Sequence, residues 1–325
     1  MSRDLRLAIL SDIHYAGDAE RAAGNDYEIR AIPNPVLRQL LRAYRHFVWL
    51  RHPLRQNRQL DRFLAEVCPV DYVIANGDYC CNVAAIGVSD DAAMQSAREC
   101  LDILRGQFGE KLLVNFGDHE LGKLRLMGTR GGLRLDSWRR ATTELGLRPF
   151  WQIELGNYVL INVVSTLLAL PVFAGDILPG EWSGWEKLRE QHFTAIRAAF
   201  AALQPQQRVL LFCHDPTALP FLWRENTVRS KLSQIEQTII GHLHSNFYLR
   251  ASWLLSGMPV IRFLGHSIHR LSGAVNQARY WRLFSVRLCP SLAGIELLKD
   301  GGYLTARLDP EAKRQIQFRF HPLPR

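Results

Sequence analysis

Histidines and aspartates with the spacing of metal ligands recur along this sequence. Asp12 and His14 are separated by one residue at the end of a short apolar run, so in an extended backbone both side chains leave the same face. His242 and His244 repeat this spacing directly after Gly241. Carboxylates and imidazoles together suit Mn²⁺, iron or Zn²⁺, whereas Mg²⁺ prefers oxygen ligands and retained waters. We therefore interpret both pairs as parts of a metal site.

Further acidic and histidine side chains follow other apolar runs. Asp78, Asp118 and His214 each end such a run, and His119 comes directly after Asp118. Each of them alone is explained equally well as an ordinary loop residue. In the same way, the pair Asp12 and His14 alone is explained equally well as a strand-end cap. The ordered set is not explained in that way. Two cations about 3.5–4 Å apart share and activate a water and stabilise the charge of a phosphoryl group. The set therefore predicts a two-metal hydrolytic site.

The elements that must position these residues alternate between strands and helices. Short apolar runs that end at polar residues predict buried strands at 6–12, 71–78, 111–120, 208–215 and 238–244. Between them, helical patterns occur at 36–67, 90–107, 135–145, 185–203 and, interrupted, 224–237. This alternation predicts an α/β layered fold with the reactive residues at the strand ends.

Two other segments predict a mixed sheet architecture. Residues 151–165 have the pattern of a hairpin that turns at Gly156–Asn157, and strand-like runs continue from 280 to 308. No internal repeat or linker is visible. We therefore expect one catalytic domain, 1–325, with a basic helical insertion at 16–66.

Composition limits the class of protein. A chain of 325 residues with 47% hydrophobic content can bury a sizeable core. Its formal charge of +9, mostly from arginine, suits phosphates, nucleic acid or an acidic membrane surface. The six cysteines are scattered without CxxC pairs, which indicates reduced packing residues. Because no signal peptide or transmembrane segment is visible, we expect a soluble cytoplasmic protein, with membrane-surface contact left open.

Taken in order, the motifs resemble those of the calcineurin-like metallophosphoesterase superfamily. That family has D-x-H, G-D, G-N-H-E or G-N-H-D, a lone His and G-H-x-H. The corresponding residues here are DIH at 12–14, GD at 77–78, GDHE at 117–120, His214 and GHLH at 241–244. The resemblance implies a four-layer α/β/β/α sandwich with helical insertions, and metal-dependent phosphoesterase activity.

The resemblance also implies a role for each residue. The first metal would be held by Asp12, His14, Asp78 and His244. The second would be held by Asp78, Asp118, His214 and His242, with Asp78 as the bridge. The two divalent ions are expected to be Mn²⁺, with Fe or Zn²⁺ as alternatives.

Three neighbours of the ligands have expected roles that do not involve binding metal. His119 would lie beside the phosphate and protonate the leaving oxygen, with Glu120 as an orienting residue. Asp215 either orients His214 or caps the following turn, and we favour the cap.

The sequence departs from the family pattern at two positions. Asp118 stands where the family has asparagine, which lowers the formal charge of the site by one unit. We expect weaker phosphate binding, a tighter hold on the second metal or a preference for a trivalent ion there. Cys81 replaces the second acid of G-D-x-x-D in GDYCC at 77–81, and we expect Cys80 and Cys81 to pack rather than to bind metal.

The insertion is the main indication of substrate. Within 35–66 arginines alternate with leucines and aromatic residues, and Pro53 is expected to divide two helices. Arg42 and Arg45 share a helical face that precedes Trp49. One interpretation is a solvated helix face. The other is a lid that contacts a membrane surface or holds a lipid-linked phosphate, with residues 123–141 completing its rim.

These observations lead to one function hypothesis and two alternatives. We expect a dinuclear hydrolase in which a metal-bridging hydroxide attacks a phosphodiester or pyrophosphate. The substrate is expected to be lipid-linked, such as a UDP-diacylglucosamine-type molecule. The alternatives are a nuclease or nucleotide phosphodiesterase, for which the basic groove would bind nucleic acid, and an inactive metal-binding scaffold in which Asp118 marks a decayed site.

Overall fold

The computed structural model describes residues 3–30, 32–122, 131–263 and 266–324. Within these residues the chain forms ten strands. They are β1 (Leu5–Leu10), β2 (Tyr72–Ala75), β3 (Leu112–Val114), β4 (Trp151–Leu155), β5 (Tyr158–Val163), β6 (Arg208–Cys213), β7 (Ile235–Ile240), β8 (Val286–Leu288), β9 (Gly302–Leu308) and β10 (Gln317–Pro322).

The strands form two five-stranded sheets, and both are mixed as predicted. The first has the order β10-β9-β1-β2-β3, in which β1, β2 and β3 are parallel and β9 and β10 are added antiparallel. The second has the order β4-β5-β6-β7-β8, in which only β4 is antiparallel to its neighbour. The predicted hairpin is β4–β5, and its turn is at Gly156–Asn157.

The described α-helices cover the outer faces of the sheets and the connections between strands. They are α1 (Asp18–Ala22), α2 (Pro35–Phe47), α3 (Asn57–Glu66), α4 (Asp91–Phe108), α5 (Leu135–Thr143), α6 (Ser165–Leu168), α7 (Trp182–Ala202), α8 (Leu219–Arg224), α9 (Asn226–Arg229), α10 (Asn246–Leu254) and α11 (His266–Asn276).

Side-chain alternation along the strands produces four layers. Leu7 and Ile9 of β1 share an apolar cluster with Leu160 of β5 and Phe212 of β6, so the inner faces of the two sheets pack together. The intervening residues of the strands face the helices: the outer cluster contains residues of β1 and β2 with α3 and α4, and residues of β5 and β6 with α7. The α/β/β/α arrangement is therefore confirmed.

Several elements differ from the sequence-based expectations. The predicted helix at 36–67 is divided, because α2 ends at Phe47 and a 3₁₀ turn at Pro53–Arg55 precedes α3. The start of the expected strand-like run at 280 was wrong, since Gln277–Phe284 is a 3₁₀ helix that buries Trp281. The C-terminal part of the helix expected at 224–237 was also wrong, because β7 already begins at Ile235.

Local sequence explains where α2 and α4 begin. The side chain of Asn34 accepts hydrogen bonds from the backbone N–H groups of Val36 and Leu37, and Pro35 occupies the first turn of α2. Asp90 caps α4 in the same way by accepting from Ala93. None of the helices in the described part of the chain has the length and apolar character needed to span a membrane.

Candidate metal centre

The predicted ligands lie where parallel strands of both sheets end. Asp12 follows β1 and Asp78 follows β2, while His214 comes directly after β6. Backbone hydrogen bonds join the adjacent loops: Asp12 N–H donates to Gly77 over 3.2 Å and His14 N–H donates to Asp78 over 3.0 Å. Neighbouring parallel strands thus bring residues that are distant in sequence to one edge.

One trio consists of Asp12, His14 and His244, all of which are buried. The Nε2 atoms of His14 and His244 are 3.2 Å apart. Nε2 of His244 lies 3.3 Å, and Nε2 of His14 lies 4.0 Å, from Oδ1 of Asp12. These are three of the four residues that the family resemblance implies for the first metal.

The second trio consists of Asp118, His214 and His242. Oδ1 of Asp118 lies 3.3 Å from Nε2 of His214 and 3.0 Å from Nδ1 of His242. Asp78 lies between the two trios. Its carboxylate is close to ligand atoms of Asp12 and His214, and also to one of His14. Its Oδ2 is 3.3 Å from Nε2 of His214. The structure thus brings together all seven ligands expected from the sequence, with Asp78 in the central position.

Two ligand atoms in this cluster are buried and have no hydrogen-bond partner among the described residues: Oδ1 of Asp12 and Nε2 of His214. The Nδ1–H of His214 donates to the carbonyl of Asn76, which directs Nε2 at the carboxylates. A buried lone pair that faces carboxylate oxygens needs a positive charge between them. The residues present therefore fit divalent cations.

The charges of the metal-free side chains lead to the same conclusion. Burial lowers the pKa of His214, but the carboxylates of Asp78 and Asp12 reverse this and raise it well above its usual range. Burial, with a contribution from His14, lowers the pKa of His244 well below the usual value. The surroundings of His214 therefore favour a positive charge, which a bound metal would supply in place of the proton. The imidazole of His244 is neutral, which is the form that binds a metal.

The rise in pKa that burial causes in the carboxylates is offset to different extents. Burial raises the pKa of Asp78, and Asp118 adds to this, yet His119 and His214 together lower it below its ordinary value. The pKa of Asp12 remains raised by burial, against the opposing effect of His214. A cation placed between these groups would keep Asp78 ionised and would lower the pKa of Asp12.

His119 faces the cluster without belonging to either trio. Its Nδ1–H donates to the carbonyl of Cys80 over 2.9 Å, so Nε2 is the ring nitrogen directed towards Asp78, 3.9 Å from Oδ2. The ring also contacts that of His14, with centroids 4.6 Å apart. The ring is therefore held at the edge of the site, with Nε2 on the side of Asp78.

Glu120 joins two of the site loops. Its carboxylate accepts hydrogen bonds from the backbone N–H groups of Asp78, Tyr79 and Gly117 over 3.1, 2.7 and 2.8 Å. Burial and the neighbouring Asp78 raise its pKa to about 8, while the N–H donors favour the ionised form. Glu120 thus orients the backbone at Asp78, whereas the ring of His119 is oriented by Cys80.

Five of the site residues have a left-handed backbone. The φ angles are 51° at Asp12, 49° at His14, 60° at Asp78, 53° at His242 and 59° at His244. For residues other than glycine this conformation costs of order 1 kcal/mol or more each. The surrounding loops impose it, and the side chains of both D-x-H and H-x-H consequently turn towards the cluster.

Two glycines permit the close packing of these loops. A Cβ at Gly117 would lie 2.0 Å from Oδ1 of Asp78, and one at Gly241 would lie 2.0 Å from Oγ of Ser11. Ser11 donates to Oδ2 of Asp12 over 2.6 Å. The sequence reasoning missed Ser11 and Asn76, whose only signal was their position beside a predicted ligand at a strand end.

The predicted lid residues have different environments. Trp49 packs its ring against His244, with centroids 4.6 Å apart. Arg45 is buried and donates to the carbonyl of Asn25 and to Glu28, and Arg42 pairs with Asp26 over 3.2 Å. Trp49 is therefore the lid residue that contacts the ligand cluster, while both arginines pair within the insertion. Of the second arginine-rich stretch, residues 123–130 lie outside the described residues.

The remaining neighbours have structural contacts. Oδ1 of Asp215 accepts from the N–H of Thr217, which is the cap favoured from the sequence, and Oδ2 is 3.9 Å from Nε2 of His242. The thiol of Cys81 donates to the carbonyl of His14 over 3.0 Å, and burial raises the pKa of the Cys80 thiol well above its usual range. Both cysteines therefore pack beside the site as protonated thiols.

Comparison with known proteins found similarity in structure alone. No protein-family model matches the chain, and no curated protein matches it. A dimetal phosphatase from Danio rerio is 13% identical with a TM-score of 0.43, over 97% of this chain and 95% of that chain. Phosphopantetheinyl hydrolase from Mycobacterium tuberculosis is 16% identical with a TM-score of 0.38, over 75% and 84%.

A metallophosphoesterase from Sphaerobacter thermophilus is 12% identical with a TM-score of 0.31, over 98% of this chain and 88% of that chain. At identities and TM-scores this low, these similarities do not support an activity. Any function proposed for this chain therefore depends on the side chains described above.

Proposed function

We propose that this chain is a dinuclear metal-dependent phosphohydrolase that cleaves a phosphodiester or pyrophosphate. The observation that supports this most is the convergence of two His/Asp trios on Asp78, with buried ligand atoms that lack hydrogen-bond partners among the described residues. A purely structural cluster would have those atoms paired, because an unpaired buried polar atom is destabilising.

The proposed ligands divide between two cations. The first would be held by Asp12, His14, Asp78 and His244, and the second by Asp78, Asp118, His214 and His242. Bound cations would activate water and neutralise phosphoryl charge, and the mixed imidazole and carboxylate donors favour Mn²⁺, with Fe or Zn²⁺ as alternatives. His119, held through Nδ1 by Cys80, would give its Nε2 proton to the leaving oxygen.

We further propose that the substrate is lipid-linked and that the enzyme acts in the cytoplasm at a membrane surface. One face of α2 supports this, because Val36, Leu40, Tyr44 and Phe47 recur at helical spacing and are 68%, 63%, 42% and 65% exposed. Seven arginines lie between 35 and 66, of which Arg42, Arg45 and Arg51 pair with acidic residues, while Arg38 adds basic charge to α2 itself. Basic and apolar side chains together suit an anionic lipid surface.

The catalytic part of the proposal is tested with bis(p-nitrophenyl) phosphate and Mn²⁺. We expect turnover that chelation abolishes, and a loss of at least about 100-fold in His119→Ala and in Asp78→Ala. Asp18→Ala, an aspartate whose side chain is 91% exposed, should retain full activity. Absence of turnover with Mn²⁺, Fe²⁺ and Zn²⁺ would instead favour the metal-binding scaffold.

The membrane part is tested separately by co-sedimentation with vesicles of phosphatidylglycerol or phosphatidylcholine. We expect binding to the anionic vesicles, and at least a severalfold loss in the double variant Leu40→Ser/Phe47→Ser. Leu178→Ser, which removes an exposed leucine outside α2, is the matched control. Equal binding by all three proteins would exclude the α2 face, and salt-dependent binding and cleavage of DNA would favour the nuclease alternative.

A further inference from the structure

A cavity of about 280 Å³ adjoins the second trio. Asp118 and His242 form part of its wall, so the cavity and the proposed second metal share two residues. Most of the other lining is apolar and comes from the segment before α7, from α11 and from the 3₁₀ helix after it. The apolar wall includes Val172, Phe173, Leu243, Leu271, Val275 and Trp281.

The charges in this wall do not suit a second phosphate group. Arg270 is the one arginine or lysine among its described lining residues. Its guanidinium pairs with Asp176 over 2.7 Å and lies 4.5 Å from the centre of the Phe173 ring, so it is already neutralised. The acids of the wall, Asp118 and Asp215, add negative charge. Away from the proposed second metal, this wall therefore favours an uncharged apolar group over a further anionic one.

The volume sets the size of that group. A volume of about 280 Å³ is near the lower end of the range for ligand pockets and admits a compact group such as an aromatic ring or a short branched acyl group. Phe173 and Trp281 offer aromatic contacts inside it.

We infer that this cavity, hereafter the apolar pocket, binds an apolar substituent of the phosphoester substrate while the phosphoryl group lies at the metal centre. The inference rests on the proposed function and specifies its substrate as a phosphoester with a compact apolar group next to phosphorus. The shared residues Asp118 and His242 give the physical link, because the same two side chains would hold the second metal and form part of the pocket wall.

The test uses phosphonates, which are not hydrolysed by phosphoesterases and therefore report binding without turnover. The dissociation constants of phenylphosphonate and methylphosphonate are measured by calorimetry on the Mn²⁺-loaded protein. We expect phenylphosphonate to bind about tenfold more tightly or better, because its ring is buried. Equal affinities in the parent protein would overturn the inference.

Variants locate the preference. Ala274→Trp fills the pocket from α11 and should reduce the phenyl preference to about threefold or less; Ala274→Leu should reduce it to a smaller degree and serves if the larger residue prevents folding. His269→Trp is the matched control, because His269 is exposed on the same helix and does not line the pocket. An undiminished preference in both Ala274 variants would refute the assignment. The proposed function is tested separately. It fails if the protein shows no metal-dependent turnover of the diester, whichever phosphonate binds more tightly.

Discussion

The Nδ1–H of His214 donates to the backbone carbonyl of Asn76 over 2.6 Å. This bond joins the end of a strand in one sheet to the loop after a strand in the other. It fixes the imidazole so that Nε2 faces Asp78 and Asp118, each with an oxygen 3.3 Å away. The packing of the two sheets therefore sets the position of the metal ligands.

His214→Ala should remove a ligand of the second cation only. We expect the bound Mn²⁺, measured by inductively coupled plasma mass spectrometry after dialysis, to fall from about two ions per chain to about one. The metal-dependent rise in Tm should shrink accordingly. His192→Ala, which removes a buried histidine outside the trios, should retain both ions. Loss of both ions in His214→Ala alone would contradict the division into two sites.

Asp118→Asn tests the departure from the family pattern. The substitution raises the formal charge of the site by one unit while keeping an oxygen ligand, so inorganic phosphate should inhibit roughly tenfold more strongly. The second Mn²⁺ should be lost at a lower chelator concentration than in the parent. Asp118→Ala, which removes the ligand altogether, distinguishes charge from coordination. Unchanged inhibition and metal content in Asp118→Asn would show that the extra charge has no effect.

Trp49→Ala should expose the ring of His244. Because the two centroids are 4.6 Å apart, we expect a decrease of about threefold to tenfold in kcat/KM for bis(p-nitrophenyl) phosphate. Trp49→Phe should recover most of the activity. The control is Phe47→Ala, since Phe47 is exposed on α2 and its removal should leave turnover of this soluble substrate unchanged. An equal loss in Phe47→Ala would indicate a general effect on the insertion.

His192 gives a pH dependence that is independent of the metals. Its Nε2 accepts from the N–H of Val164, and burial lowers its pKa from 6.5 to about 3. Below pH 6.5 the unfolded chain binds a proton that the folded one does not. Stability is therefore complete above pH 6.5 and falls, by at most about 1.4 kcal/mol per pH unit, as the pH is lowered towards 3.

The measurement is the free energy of unfolding of the metal-free protein by urea at pH 5, 6 and 7. His192→Gln keeps an acceptor for Val164 but cannot bind the proton, so its stability should vary less over this range than that of the parent. His46→Gln, at an exposed position, should retain the parental slope. A parental slope in His192→Gln would show that another group is responsible.

Sequence reasoning was most successful where a strand ends at a polar residue. Asp12, Asp78 and His214 follow uninterrupted apolar runs, and parallel strands necessarily bring their ends to one edge. It failed at the last strand. β10 was missed because much of this edge strand is exposed and its composition is not that of a buried strand.

Contacts between distant segments were beyond the sequence for a different reason. Nothing in the order of residues places Trp49 on His244 or the carbonyl of Asn76 on His214, because these contacts depend on how the insertion and the two sheets pack. Arg45 is instructive in the same way. Its helical spacing suggested a ligand-binding face. In the structure Arg45 instead donates to Asn25 and Glu28, and these contacts form only because the preceding segment folds back onto the helix.

The left-handed backbone of Asp12, His14, Asp78, His242 and His244 has a consequence for directed evolution of this protein. Glycine adopts that conformation without steric strain, and replacing a buried carboxylate or imidazole also removes a desolvated polar group. Selection for heat resistance in the presence of a chelator should therefore enrich glycine at these five positions. Selection with Mn²⁺ supplied should preserve the original residues, so the choice of medium would decide whether the evolved protein keeps its metal centre.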